Sequence, residues 1–305
     1  MPYLSVPAPA KLNLILKISK KRSDGFHNLG SFFHRVSLHD QLKIRLRDKP
    51  GLKLSISGIR VSAGKKNILH KAYTILSQYI KRPQGFEIKL QKNIPIGGGL
   101  GGGSSDAASF LLAANRLLKL KLNKLQLCKI AERIGSDVPF FVRDTASAFV
   151  EGRGEIIKRL RCGHDYFFVI VGFPKGLSTK EMYQKFDKNC RQPVSLTTVR
   201  ANVRICARYL NCARLILAAE LFQNDFQSIA EKSHKPLERV LNHWSRQGIP
   251  CLMTGSGSSV FAIFSNKKAA QVMAKNLRKD LSLMVFVVKT YRQSINAKIK
   301  EELLQ

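Results

Sequence analysis

Apolar and polar positions change period several times along the chain, and each change marks an element. Ala10-Lys11-Leu12-Asn13-Leu14-Ile15-Leu16-Lys17-Ile18 alternates with period two and predicts a strand with Lys11, Asn13 and Ile15 on one face. A face carrying a lysine and an asparagine is either the solvent side of a sheet or a functional surface, and the pattern leaves both open. Residues 31–44 predict a pair of strands around His39-Asp40, and Gly85-Phe86-Glu87-Ile88-Lys89-Leu90 predicts another strand. The apolar run 166–171 predicts a buried strand, 260–264 a strand after a glycine-serine turn, and 281–290 a last strand. Helical spacing covers 67–80, where Asn67 begins the helix, then 106–118, 125–134, 199–222, 233–247 and 267–277. Ser178-Thr179-Lys180-Glu181-Met182-Tyr183 reads as a capped helix start. Strands and helices intermix in both halves, which predicts an α/β (α+β) protein, and 305 residues predict two domains.

Between the strand at 85–90 and the helix at 106–118 lies Pro95-Ile96-Gly97-Gly98-Gly99-Leu100-Gly101-Gly102-Gly103-Ser104-Ser105-Asp106. Six of the seven residues 97–103 are glycine, so backbone N–H groups can crowd a ligand that a Cβ would keep out. Ser104 or Ser105 is the expected N-cap of the helix that follows. A glycine loop opening a helix offers free N–H donors and the positive end of the helix dipole, which suits phosphate. Two familiar nucleotide loops fit poorly. Counting a P-loop from Gly97, Gly102 falls correctly but Gly103 stands where the lysine belongs. Gly97, Gly99 and Gly102 match the dinucleotide spacing, yet the acidic residue expected about 20 positions on is missing from a region of Lys119, Lys121 and Lys124.

Composition narrows the class. The chain is 44% hydrophobic and 24% charged, enough apolar content for a substantial core. The net charge of +32 favours anionic partners: nucleic acid, acidic membrane or phosphorylated metabolites. The excess runs through helices and strands alike, without a basic tail, which fits a generally basic surface. Cys128, Cys162, Cys190, Cys206, Cys212 and Cys251 form no C-x-x-C pair and are expected to be reduced thiols of a cytoplasmic protein. No apolar run reaches the ~18 residues of a membrane span, and 7–13 enter the first strand with no room for a targeting segment.

Two further segments carry chemistry. In Gly135-Ser136-Asp137-Val138-Pro139-Phe140-Phe141, Ser136 or Asp137 caps a short helix with Pro139 in its first turn. Asp137 is equally a carboxylate at an element end, where catalytic groups sit, and the two readings are compatible. Ser23-Asp24-Gly25-Phe26-His27-Asn28 is a turn that ends on an aromatic beside a histidine.

Pro9-Ala10-Lys11-Leu12-Asn13-Leu14, the glycine segment and Thr254-Gly255-Ser256-Gly257-Ser258-Ser259 together resemble the three signatures of the GHMP small-molecule kinases. With the turn at 24–27 and the segment 135–141, the match narrows to members that phosphorylate the 2-hydroxyl of a cytidine diphosphate-linked methylerythritol in non-mevalonate isoprenoid synthesis. The resemblance spans nearly the whole chain. It implies an N-terminal ATP-binding domain, 1–160, a C-terminal domain, 161–305, and an active site in the cleft between them. It implies ATP and Mg²⁺, no nucleic-acid or membrane partner, and a monomer or weak homodimer. By motif, Lys11 and Asp137 would be the catalytic pair. The segment 95–105, with Asn67 and Lys92 nearby, would bind ATP. Asn13, Phe26, His27 and Tyr183 would bind substrate, with Phe186 a rival to Tyr183 for the cytosine face. The family usually carries tyrosine where this chain has Phe26, which keeps stacking and loses a hydroxyl. Alternatives are a GHMP kinase for homoserine, mevalonate or a sugar, or a basic nucleic-acid-binding protein on the same fold.

Overall fold

The computed structural model describes residues 2–189, 194–280 and 282–304. Cys190 and the first position of the strand expected at 281–290 lie outside them. The first half runs β1 (Leu4–Lys21), β2 (His27–Arg47), β3 (Gly51–Gly58), α1 (Ile68–Ser77), β4 (Gly85–Lys92), α2 (Gly102–Leu117), α3 (Lys124–Ile134), α4 (Val138–Arg143), β5 (Ser147–Gly152) and β6 (Ile156–Arg159). The second runs β7 (Phe167–Gly172), α5 (Thr179–Asn189), α6 (Leu196–Asn211), α7 (Leu215–Ala219), β8 (Gln223–Asn224), α8 (Gln227–Ser233), α9 (Lys235–Arg246), β9 (Cys251–Met253), β10 (Val260–Phe264), α10 (Lys267–Leu277), β11 (Met284–Lys289) and α11 (Ile295–Leu304).

The β1–β2 hairpin is the backbone of a seven-stranded sheet ordered β3-β4-β2-β1-β8, with β5 and β6 continuing from the far part of β2. A second sheet, β11-β7-β10-β9, is antiparallel throughout. β1 feeds two cores. Val6, Ala8, Leu16 and Ile18 join the core that holds the apolar faces of α1 to α4, including Leu69, Phe110, Ile130 and Phe141. Ala10, Leu12 and Leu14 join Phe168, Ile170 and Phe261 of the second sheet and Val203 and Leu210 of α6. Burial on both sides explains why an apolar residue, Ile15, interrupts the polar positions of the alternating run 10–18. Local chemistry sets the helix starts: Asn67 Oδ1 accepts the Leu69 N–H at 3.0 Å, and Asn123 forms a capping box with Gln126.

Several expected elements are corrected. Residues 31–44 belong to one strand, β2, and the break read near His39 is a bulge: pairing jumps from Pro9↔His39 to Ala10↔Val36. The 199–222 helix is two, because Ala213 turns left-handed (φ 57°) between α6 and α7. A second bulge, between Asn13 and Ile15, separates Lys11 and Asn13 from Ile15, which sinks into the core.

Candidate active site

The glycine segment folds as a cradle because every second residue turns left-handed: φ is 67° at Gly97, 73° at Gly99 and 70° at Gly101. Glycine alone adopts that backbone without strain. A Cβ on Gly99 would also overlap the Thr254 carbonyl. α2 starts earlier than expected, with Gly101 in the N-cap position, so Ser104 and Ser105 are not caps but lie within its first turn. The helix mouth is therefore glycine backbone, and the first N–H groups of α2 have no helical partner.

Lys11 reaches this mouth from β1. Its side chain is 3% exposed, and the ammonium donates to Asn13 Oδ1 at 2.5 Å and to the Gly99 carbonyl at 2.9 Å. Asp137 Oδ2 stands 3.6 Å away, an ion pair longer than a hydrogen bond. The cation also lies 4.7 Å from the Phe33 ring centroid. Burial pushes the Lys11 pKa below its ordinary value, and Asp137 opposes that shift. Asp137 occupies the N-cap position of α4, yet its side chain makes no capping bond. The carboxylate, 32% exposed, is left facing the cleft.

The glycine-serine turn at 254–259 closes the site from behind. Thr254 Oγ1 accepts the Asn13 N–H at 3.0 Å and lies 3.3 Å from Asn13 Oδ1, while Ser259 N–H donates to the Gly98 carbonyl at 3.3 Å. Asn13 in turn donates through Nδ2 to Ser31 Oγ at 2.9 Å. Every polar atom of the Asn13 side chain is thus engaged, which holds its Oδ1 toward Lys11.

In front of these groups lies one cleft of about 490 Å³. It brings together Lys11, Asn13, Asn67, Lys92, Asp137, Tyr183 and residues 95–104. Ser105 is buried behind it, its hydroxyl without a hydrogen-bond partner among the described residues. Lys92 reaches the wall, but its ammonium is held by Asp40 at 2.5 Å and Asp106 at 2.7 Å. Burial pushes the Asp106 carboxyl up, and Lys92 pulls it back only in part. Asn67 lines the cleft while also capping α1.

Phe26 and His27 lie outside that lining, on the turn beyond it. Phe26 is 52% exposed, with the Arg153 guanidinium 5.1 Å from its ring centroid. His27 is buried and stacks on Tyr183 at 5.0 Å. Tyr183 is therefore the aromatic that bridges turn and cleft, while Phe186 packs edge-on against His27 and Phe226. Burial, with Asp137 nearby, pushes the Tyr183 hydroxyl up to about 12. Thr254 stands in the third signature segment without a contact read for it, and nothing in the sequence marks Asp187, because each acts on a residue more than a hundred positions away.

Residues 67–145 match the GHMP kinases N terminal domain, and residues 211–283 match the GHMP kinases C terminal domain. The 4-diphosphocytidyl-2-C-methyl-D-erythritol kinase of Shewanella halifaxensis is 38% identical over 275 residues, 89% of each chain. The chain belongs to this kinase family. A member of the same name from Ruthia magnifica is 34% identical and covers 94% of each chain. A crystal structure of 4-(cytidine 5'-diphospho)-2C-methyl-D-erythritol kinase superposes with a TM-score of 0.76 at 28% identity, covering 93% of this chain and 98% of that one. Homoserine kinase from Cytophaga hutchinsonii, at 19% identity and a TM-score of 0.67, shares the fold. Both the two-domain GHMP kinase fold and the family reading of the sequence hold.

Proposed function

We infer that the chain is an ATP-dependent kinase that phosphorylates the 2-hydroxyl of 4-(cytidine 5'-diphospho)-2-C-methyl-D-erythritol in isoprenoid precursor synthesis. One observation carries the mechanism: the Lys11–Asp137 pair faces the glycine mouth of α2 across a single cleft. Phosphoryl transfer asks a protein mainly for positioning and charge stabilisation. Free N–H groups at the start of α2 would hold the phosphates of ATP, and the left-handed glycines let them approach. Asp137 would orient the attacking hydroxyl and take its proton late. Lys11 would steady Asp137 and the moving phosphoryl group. At 3.6 Å and an effective dielectric of ~20, the gross attraction of one such pair is about 5 kcal/mol before desolvation.

Mg²⁺ fits the donors present. Asp106 lines the cleft with a buried carboxylate oxygen, Oδ1, that has no hydrogen-bond partner among the described residues, and Mg²⁺ takes oxygen ligands together with substrate phosphates. Asp106 and the triphosphate would hold the ion, which would neutralise charge on the phosphate oxygens. Asn13 and Tyr183 in the cleft, with Phe26 and His27 at its end, would take the substrate, cytosine lying toward the turn. We place the two domains at 1–160 and 161–305 and the enzyme in the cytoplasm, as a monomer or weak homodimer without a nucleic-acid partner. Free thiols fit a reducing compartment: among the described residues Cys128, Cys162, Cys206, Cys212 and Cys251 are unpaired, and Cys212 is exposed.

The test is a double-mutant cycle. Asp137→Asn and Lys11→Ala should each lower kcat by ~10² or more, the range for a positioned acid–base group. The double variant should lose far less than the product, because both remove one machine. Full additivity in folded variants would separate the pair, and a near-normal Asp137→Asn rate would leave Asp137 as structure only.

A further inference from the structure

One turn of α5 grips a single ring. Tyr183, Phe186 and Asp187 stand at i, i+3 and i+4, a spacing that puts all three on one helix face. Tyr183 lies nearly parallel to the His27 imidazole, at 5.0 Å and 22°, and Phe186 meets the ring edge-on at 6.2 Å and 89°. Asp187 Oδ1 lies 2.7 Å from His27 Nε2, and Asp187 Oδ2 accepts from Lys21 Nζ at 3.0 Å. The imidazole is thus confined between aromatics, with one nitrogen tied to a carboxylate that is itself anchored to the end of β1. An ionised carboxylate can only accept, so Nε2 must carry the proton. In the neutral ring Nδ1 is then an acceptor. Among the described residues the ring makes no other hydrogen bond. Lys21 and His27 keep the Asp187 carboxyl below its ordinary pKa although burial works against them, so the anchor stays charged at neutral pH.

We propose that Asp187 is a positioning residue that turns His27 into a reader of cytosine. Holding the proton on Nε2 presents the Nδ1 lone pair to the exocyclic amino group of the base. Uracil carries a carbonyl oxygen at that place, and two acceptors would face each other. This rests on the cytidine-substrate reading given above. It adds that base selectivity comes from an acidic side chain of α5 that need not touch the base. Sites built to pair a polar group reject an analogue that cannot make the pair, because the site's own group is left unsatisfied.

Asp187→Ala and Asp187→Glu are compared with the parent protein by steady-state kinetics on the cytidine substrate and its uridine counterpart. ¹⁵N NMR of the free protein reads which His27 nitrogen carries the proton. Removing the carboxylate should raise the KM for the cytidine substrate by about tenfold, the scale of one hydrogen bond to a charged group. It should shrink the cytidine-to-uridine ratio of kcat/KM by a similar factor and leave the KM for ATP within about twofold. His27 should shift from the Nε2–H form to a tautomer mixture, and glutamate should recover part of the selectivity. A merely structural Asp187 would lower the melting temperature and leave the base preference intact, which overturns the proposal. So does a tautomer change without a change in preference. Failure of the parent protein to use the cytidine substrate at all would instead sink the substrate reading, and the base-reading role with it. The NMR comparison would still decide whether Asp187 fixes the ring.

Discussion

At Gly101 the glycine segment, the start of α2 and Lys11 meet. It sits at φ 70° in the N-cap position, and a Cβ there would come within 3.1 Å of Lys11 Cγ and 3.2 Å of Phe141. Gly101→Val should therefore cost about 1–2 kcal/mol of stability for the left-handed backbone alone. It should also displace Lys11 and raise the KM for ATP by tenfold or more. Thermal melts with nucleotide titration check this, and an unchanged affinity in a folded variant would remove the loop from phosphate binding. The density of glycine makes this loop legible in the sequence, since six in seven positions without a Cβ have few uses other than close approach. The start of α2 is not legible there: serines are the usual caps, and only the backbone angle shows that Gly101 takes the position. Lys92 reads in the sequence as a lysine near ATP. Its commitment to Asp40 and Asp106 depends on residues 52 positions before it and 14 after, which no local pattern reports.

At the scale of elements, the decisive contacts are polar bolts between strands. His34, in β2, lies 1% exposed between Ser147 Oγ of β5 at 2.8 Å and Thr290 Oγ1, just past β11, at 3.0 Å. One ring thus joins both sheets. Burial, with Arg292 and Arg35 nearby, holds its pKa down at about 3. The unfolded chain takes up that proton near pH 6.5 and the native protein refuses it, so His34 favours the fold above 6.5 and withdraws that support as pH falls toward 3. By pH 5 the loss should be roughly 2 kcal/mol. His34→Gln keeps polar reach without a titrating ring, so its melting temperature should fall less than the parent's between pH 7 and pH 5. Parallel slopes would mean that His34 does not set the acid limit. Of the strands that meet here, 31–44 and 281–290 are legible in the sequence as strand-like runs and 147–152 is not, and nothing there shows how the three pair. Period-two alternation shows that a segment can be a strand and is silent on its neighbour.

At the scale of the molecule, the two sheets are tied by short pieces of chain that cross between them. The C-terminal helix α11 packs on β1 and α2, and Arg35 and Asp144, both buried, form an ion pair at 2.9 Å beside its start. Asp144 also accepts the Ile295 N–H at 3.0 Å. The net charge of +32 distinguishes no partner, because it is spread over elements of every kind. The two-residue strand β8 has the widest reach of these ties. It pairs in parallel with β1 at Ile15 and Leu16, and Asn224 donates to the carbonyls of Met253 and Gly255. Next to it, Asp225 accepts the Ile18 N–H at 2.7 Å and binds Lys17. A polypeptide ending at residue 160 would leave this edge of β1 bare, and bare strand edges recruit other chains. Split-protein engineering at the junction between the sheets should therefore fail in a specific way. Each half made alone should aggregate, and only halves refolded together should recover turnover, because each supplies the other's missing border.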